Sequence, residues 1–308
     1  MITKNQLSPN CEIISVLNES LEDIDTLSQD YDIDAEMLMY ARDYDERSRI
    51  EFSPGGDWNL IVYDIATLKD KDSSNVKDPT APITFIFKAD KLLIFMTSVT
   101  KFDPQKLIKI PEDMDLDQLN PMDTILLIIY SLAYRYYDVI HAIDKRRQMV
   151  QKGLNQTTSR KSITQLMGLQ TQLVYYLTAL DSDNRVLNEL EYNKFVKLNQ
   201  VQSEQLKDVQ IEISQGLEMA QMASAVIKHV SDAYSNILDN SLNNTMKFLT
   251  IWSIILAVPT IIFGFFGQNV QLPMVSSKMG WLVTIGVAVF FTLLLWGFYE
   301  LYQHLSNR

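Results

Sequence analysis

Nine residues in the C-terminal part of the chain recur at steps of three and four: Asn236, Asn240, Asn243, Met246, Thr250, Ser253, Ala257, Thr260 and Gly264. Steps of that size place them along one face of an α-helix. All except Met246 are small or polar. Beyond them stands Gly267-Gln268-Asn269, a tripeptide with two neutral amides. Such groups suit the passage of an ion rather than the making of a bond. A small, hard dication such as Mg2+ dehydrates reluctantly and keeps several waters. A ring of amide oxygens can hold that hydrated ion without trapping it, as conduction requires. Taken alone, the tripeptide is also an ordinary polar turn.

The elements that carry these residues are set by charge. Residues 248–277 contain no charged side chain, Lys278 interrupts, and residues 279–299 are again uncharged. A helix crosses a bilayer with about 20 mostly apolar residues. Residues 248–266 and 281–299 meet that length, so the chain reads as a two-span helical hairpin on a large polar body. A buried hairpin in a soluble protein is the competing reading, although soluble core helices seldom run so long without charge. Two readings also compete for the polar line: a dry seam between helices, or the wall of a pore formed by several copies. The three asparagines below the span favour the pore, because a dry seam has little use for amides there. Pro259 lies within the first span, where it frees a backbone carbonyl and can kink the helix.

Composition bounds the partners. The net charge of −11 is unevenly placed: residues 1–120 carry 24 Asp/Glu against 12 Lys/Arg, and residues 121–308 carry 14 against 15. An acidic surface repels nucleic acid and suits cations, or serves solubility alone. Cys11 is the single cysteine, which excludes an intrachain disulfide and fits a reducing compartment. The polar N-terminus shows no signal peptide, so residues 1–247 are expected in the cytosol, with the tail at 300–308 returned to the same side. Lys247 and Arg308 lie inside and Lys278 outside in this arrangement.

In chain order, residues 1–120 read as an acidic α/β cytosolic domain. Strands are expected at 11–17, 49–53, 58–66, 82–88 and 92–97, and helices at 21–29 and 34–42. Pro54-Gly55-Gly56 marks a turn, Ala89-Asp90-Lys91 a hairpin, and residues 69–79 a polar loop. Asp32-Ile33-Asp34 lacks the other ligands of a calcium loop and reads as helix capping. Residues 121–200 form a helical hairpin region. One helix at 122–152 begins after Pro121 and ends at Gly153; a second covers 162–180, closed by Asp181-Ser182-Asp183-Asn184 as a cap or turn. A third helix runs unbroken from about 201 to 266, as a stalk over 201–247 and the first span over 248–266. At 1.5 Å per residue it is on the order of 100 Å long. Its stripe of Leu206, Val209, Ile213, Leu217, Ala220, Ala223, Ile227, Val230, Tyr234 and Ile237 repeats near 3.5 residues, so a partner helix is expected along it. The partner is expected in other copies, packing on the chain's own two preceding helices being the alternative. An extracytosolic loop at 267–280 and a second span at 281–299 complete the chain.

Asn243-Asn244-Thr245-Met246-Lys247-Phe248-Leu249-Thr250, Pro259-Thr260 and Gly267-Gln268-Asn269 together resemble the signature of the CorA family of divalent-cation channels. The resemblance covers nearly the whole chain. It implies an α+β cytosolic domain, long helices and a two-span hairpin, assembled as a funnel-shaped homopentamer with both termini in the cytosol. It puts Asn243, Met246, Leu249, Ala257 and Thr260 on pore-lining positions, beside Thr250 and Ser253 of the polar line. Gly267, Gln268 and Asn269 become the selectivity filter, with Asn269 the contact to the hydrated metal ion. Gln268 stands where the family has methionine, and the loop at 270–274 lacks the acids that many members place at the outer mouth. Both departures bear on ion choice. The resemblance also implies sensing of intracellular Mg2+ by the acidic domain.

The function expected is therefore transport of Mg2+, with cobalt and nickel as further ions, across the cytoplasmic membrane. The partners are copies of the chain, lipid and divalent cations, with no nucleic acid and no cofactor beyond the ion itself. A zinc transporter of the same family is the first alternative. Softer ions prefer sulfur or imidazole, and Cys11, His141, His229 and His304 all lie outside the spans. A non-conducting membrane-anchored sensor or scaffold is the second. An enzyme is not expected, since the residues form no nucleophile–base arrangement.

Overall fold

The computed structural model describes residues 1–52, 58–67, 78–111, 114–156, 160–268 and 279–306. The turn at Pro54-Gly55-Gly56, most of the 69–79 loop, Asn269, Lys278 and Arg308 lie outside the described residues. The chain divides into two compact units, Met1–Asp232 and Ala233–Arg308.

The first unit is built on a six-stranded sheet of β1 (Ile2–Ser8), β2 (Cys11–Leu17), β3 (Arg49–Glu51), β4 (Asn59–Ala66), β5 (Thr80–Lys88) and β6 (Lys91–Met96), in the order β1-β2-β6-β5-β4-β3. Only β2 and β6 pair in parallel. Alternation sends Ile14, Val16, Leu60, Val62, Ile86, Leu93 and Phe95 to one face. There they pack with Leu27 and Leu38 of α1 (Leu21–Tyr31) and α2 (Ala35–Arg42). The opposite face carries Ile13, Ile61, Tyr63, Phe85 and Ile94, all essentially inaccessible. It is covered by α4 (Pro121–Gln156) and α5 (Arg160–Glu191), which follow the short α3 (Pro104–Leu107). A sheet buried on both faces explains why its inner strands are nearly continuous apolar runs.

Capping sets the helix starts. Ser20 and Asp23 form a capping box on α1, Asp32 ends that helix in the left-handed region at φ 51°, and Asp34 caps α2. The aspartates of 32–34 thus cap helices, as the sequence indicates. Asn120 accepts from the backbone N–H groups of Met122 and Asp123, and Asn199 accepts from that of Gln202. These boxes open α4 and α6 (Gln200–Phe266). Gln202 also donates to Asn120 at 3.2 Å, which sets the first turns of the two helices side by side.

Three expectations are corrected. Gly153 does not end α4, which continues to Gln156; a glycine inside a helix costs about 1 kcal/mol and stops it only with a left-handed cap. Asp181-Ser182-Asp183-Asn184 is neither cap nor turn but lies inside α5. The stripe on α6 needs no second chain over its first part: Leu206, Val209, Ile213, Ala220 and Ile227 are buried in the single chain. Tyr137 donates to the Glu212 carbonyl, Gln210 to Asn188, and a Cβ on Gly216 would touch Leu180, so α4 and α5 flank this part of α6.

Asp183 explains the second correction. Its side chain bonds away from its own helix. Oδ1 accepts from Ser48 Oγ at 2.8 Å and from the Asp64 backbone N–H at 3.0 Å, and Oδ2 accepts from Tyr136 Oη at 3.4 Å. Ser48 is also 3.1 Å from Asp64 Oδ2. Burial, then the neighbouring Asp64, holds the Asp183 carboxyl well above the ordinary carboxylate range. Burial raises Asp64 to about 6. The buried Tyr63 hydroxyl beside them has no partner among the described residues. Both carboxyls therefore retain protons when folded that an unfolded chain releases near its ordinary 3.8. The stability this brings is complete below that value and is lost as pH rises through about 6 for Asp64 and higher for Asp183. Thermal unfolding of the detergent-solubilised chain is expected to show a midpoint that falls between pH 5 and pH 8. Asp183→Asn keeps the Oδ1 acceptor and is expected to flatten that fall; an equal fall in both proteins would contradict the assignment.

Candidate ion pathway

The second unit contains the remainder of α6 and α7 (Gly280–Ser306). Both are long and apolar enough to cross a membrane, and 0% and 6% of their apolar windows are buried in the chain. A hairpin serving as a soluble core would be mostly buried, so that reading is set aside. Backbone polar groups in lipid must be satisfied within the segment, which a continuous helix achieves.

Burial along α6 distinguishes its faces. Ile251, Ile255, Val258, Ile262 and Phe266 are half-buried, while Thr250, Ser253, Ala257, Thr260 and Gly264 are exposed. On α7 the covered positions include Gly280, Thr284, Val287, Ala288 and Thr292, and Ala288 is 3% exposed. Bulky apolar side chains of α6 thus face a stripe of small residues on α7, spaced by four. The sequence shows that stripe as Gly280, Thr284, Ala288 and Thr292 at steps of four, a spacing that places them on one helix face. Pro259 and Phe263 line an apolar pocket of about 280 Å3 with Ile285, Ala288 and Leu293. At 3.6 residues per turn, the face that α7 covers lies about 160° around α6 from the polar line.

The hydroxyls of the line have a defined geometry. Thr250 Oγ1 donates to the Met246 carbonyl at 2.9 Å, Ser253 Oγ to that of Leu249 at 2.9 Å, and Thr260 Oγ1 to that of Leu256 at 2.8 Å. With the proton used inside the helix, each oxygen turns lone pairs outward and no donor. An outward row of acceptors favours cations over anions. Met246 and Leu249 are 68% and 66% exposed, and Asn236, Asn240 and Asn243 are also open. The expected pore residues therefore share a face that the chain leaves uncovered. Among the described residues no cluster of three metal-ligating side chains occurs.

The line ends where the helix does. The Gly267 N–H donates to the Phe263 carbonyl at 2.8 Å, and Gln268 follows, exposed. A Cβ on Gly267 would lie 3.0 Å from that same carbonyl oxygen, so a side chain there requires the carbonyl to give by a few tenths of an ångström.

A family model described as "CorA-like Mg2+ transporter protein" matches residues 12–299. The chain belongs to this CorA-like family. A curated relative, the cobalt/magnesium transport protein CorA of Methanocaldococcus jannaschii, is 24% identical over 158 residues, 51% of this chain and 50% of that protein. The matched part spans about half the length of that relative. The complete structure of the CorA magnesium transporter from the same organism covers 94% of this chain and 90% of its own, at TM-score 0.78 and 21% identity. The full-length CmaX protein covers 97% and 90% at TM-score 0.72 and 16% identity. The ZntB cytoplasmic domain of Vibrio parahaemolyticus RIMD 2210633 covers 76% and 89% at TM-score 0.59 and 12% identity. At these identities the structural likeness establishes the CorA fold: an α/β soluble domain, a long helix and two apolar C-terminal helices.

For this CorA-like chain, Gly267→Ala is expected to displace the Phe263 carbonyl by a few tenths of an ångström and to loosen the end of α6. A lowered melting midpoint in detergent with unchanged total helicity checks this; an unaltered midpoint would show that the turn yields freely.

Proposed function

We propose that the chain is the subunit of a homopentameric channel that carries hydrated divalent cations, Mg2+ first among them, across the cytoplasmic membrane. The observation that carries this reading is the opposition of two faces on α6. One is covered by α7; the other presents hydroxyl oxygens and amides to nothing within the chain. Copies arranged with α7 outward turn the uncovered face to a common axis, where Asn243, Met246, Leu249, Thr250, Ser253, Ala257 and Thr260 line the path. Gly267, Gln268 and Asn269 form its filter, and Asn269 touches the ion through water. Both termini lie in the cytosol, and the acidic soluble domain meets the ion there.

Family membership and the CorA fold support this reading, as does the transport named for the M. jannaschii relative. Hydroxyl and amide acceptors, with no cysteine or histidine among the lining residues, favour a hard, hydrated ion over zinc. Gln268 replaces a soft thioether with an amide at the filter and leaves its carbonyl to act on the ion's water.

Flux into liposomes with Mg2+, cobalt, nickel and zinc in turn tests the proposal. The expected order puts Mg2+ above zinc. Asn269→Ala is expected to cut uptake at least about tenfold, the loss of roughly 1.4 kcal/mol of ion interaction, while the oligomer stays intact by light scattering. Gln268→Met is expected to change the order among the four ions. Wild-type flux in the Asn269 variant would remove the amide ring from the mechanism.

A further inference from the structure

The end of the α4–α5 hairpin carries a feature that ion conduction does not use. Between residues 145 and 180 there is no Asp or Glu, yet Lys145, Arg146, Arg147, Lys152, Arg160 and Lys161 fall within it. This contrasts with the acidic first 120 residues. Arg147 is neutralised by Asp144 at 2.8 Å. Lys145, Arg146, Lys152 and Lys161 have no acidic partner among the described residues, and the three lysines are exposed.

The same place holds a cleft of about 710 Å3, lined by Arg146, Met149, Gly153, Ser162, Gln165 and Gly168. Gly153 and Gly168 lie inside helices, where each costs about 1 kcal/mol relative to alanine. A Cβ on either would meet nothing within 4 Å, so no close contact inside the chain accounts for them. Met149 is 62% exposed and Met167 58% exposed. Cations beside uncovered apolar side chains match the boundary between lipid headgroups and acyl chains.

We propose that this basic, cleft-bearing end of the α4–α5 hairpin is a binding surface for anionic phospholipid headgroups. The charge is complementary to that of an anionic leaflet. A second copy's acidic surface is the rival occupant. Exposed Met149 in the cleft and Met167 beside Gly168 fit it less well, because a solvated carboxylate surface offers them no apolar cover. The inference rests on the chain being embedded in a bilayer and not on its conducting ions.

The test uses the full chain in nanodiscs, labelled with a fluorophore at Gln165→Cys. Cys11 is buried with its thiol pushed up to about 11 and does not compete for label. Discs of phosphatidylcholine alone are compared with discs containing phosphatidylglycerol, each with a trace of lipid spin-labelled at the headgroup. Quenching is expected to be at least about twofold greater in the anionic discs, and to fall when salt shortens the Debye length to about 3 Å. It is expected to vanish in the variant Lys145→Glu, Arg146→Glu, Lys152→Glu, Lys161→Glu. Equal quenching in both lipids overturns the proposal, and so does quenching that salt leaves unchanged. A signal that follows the number of chains per disc rather than lipid charge assigns the surface to a second copy and likewise overturns it. Loss of flux with the quenching pattern intact bears on conduction alone.

Discussion

One packing seam orders the membrane part of this molecule. Apolar side chains at 251, 255, 258, 262 and 266 of α6 face the small residues at 280, 284, 288 and 292 of α7. In lipid there is no hydrophobic drive between helices, so association relies on packing and on polar contacts. One face of α6 is covered by α7. Once that face is taken, the hydroxyl and amide face is turned away from the partner, and its character becomes available to something outside the chain.

The hydroxyls illustrate how a polar line survives in an apolar span. Thr250, Ser253 and Thr260 each return a proton to the carbonyl one turn back. The helix is thereby self-satisfied in lipid, and each oxygen keeps lone pairs free. Thr284 and Thr292 make the same bond on α7, at partly covered positions. One side-chain chemistry thus stands on two faces, one covered within the chain and one open among the described residues.

The soluble unit spends polarity differently. Asp183, Asp64, Ser48 and Tyr136 join α5 and α4 to the backbone of β4 through buried hydrogen bonds. Two carboxyls in such a place stay protonated more readily than in water, so the clamp ties helix to sheet without stranding a full charge in the core. Surface acidity, by contrast, is left solvated. The basic end of the α4–α5 hairpin stands out because, among the described residues, Lys145, Arg146, Lys152 and Lys161 have no acidic partner.

Much of this was legible from residue order. Charge-free length defined the spans, step size defined the polar line, first-turn acids marked α1 and α2, and Pro121 marked the start of α4, because each depends on neighbours within a few positions. Strand β1 was not anticipated: as an edge strand with most side chains exposed it carries no apolar alternation, and its pairing with β2 alone makes it a strand. Asp181 to Asn184 read as a turn because short polar side chains usually bond their own backbone; a distant serine and a strand amide drew Asp183 inward and let the helix continue. The stripe of α6 called for a partner, and only packing could show that α4 and α5 supply it over its first part. Sequence by itself determined which residues share a face of a helix, since helical geometry is local. Which face is covered and which is left open was decided by tertiary contact, since shape complementarity between segments far apart in the chain is not written in either one alone.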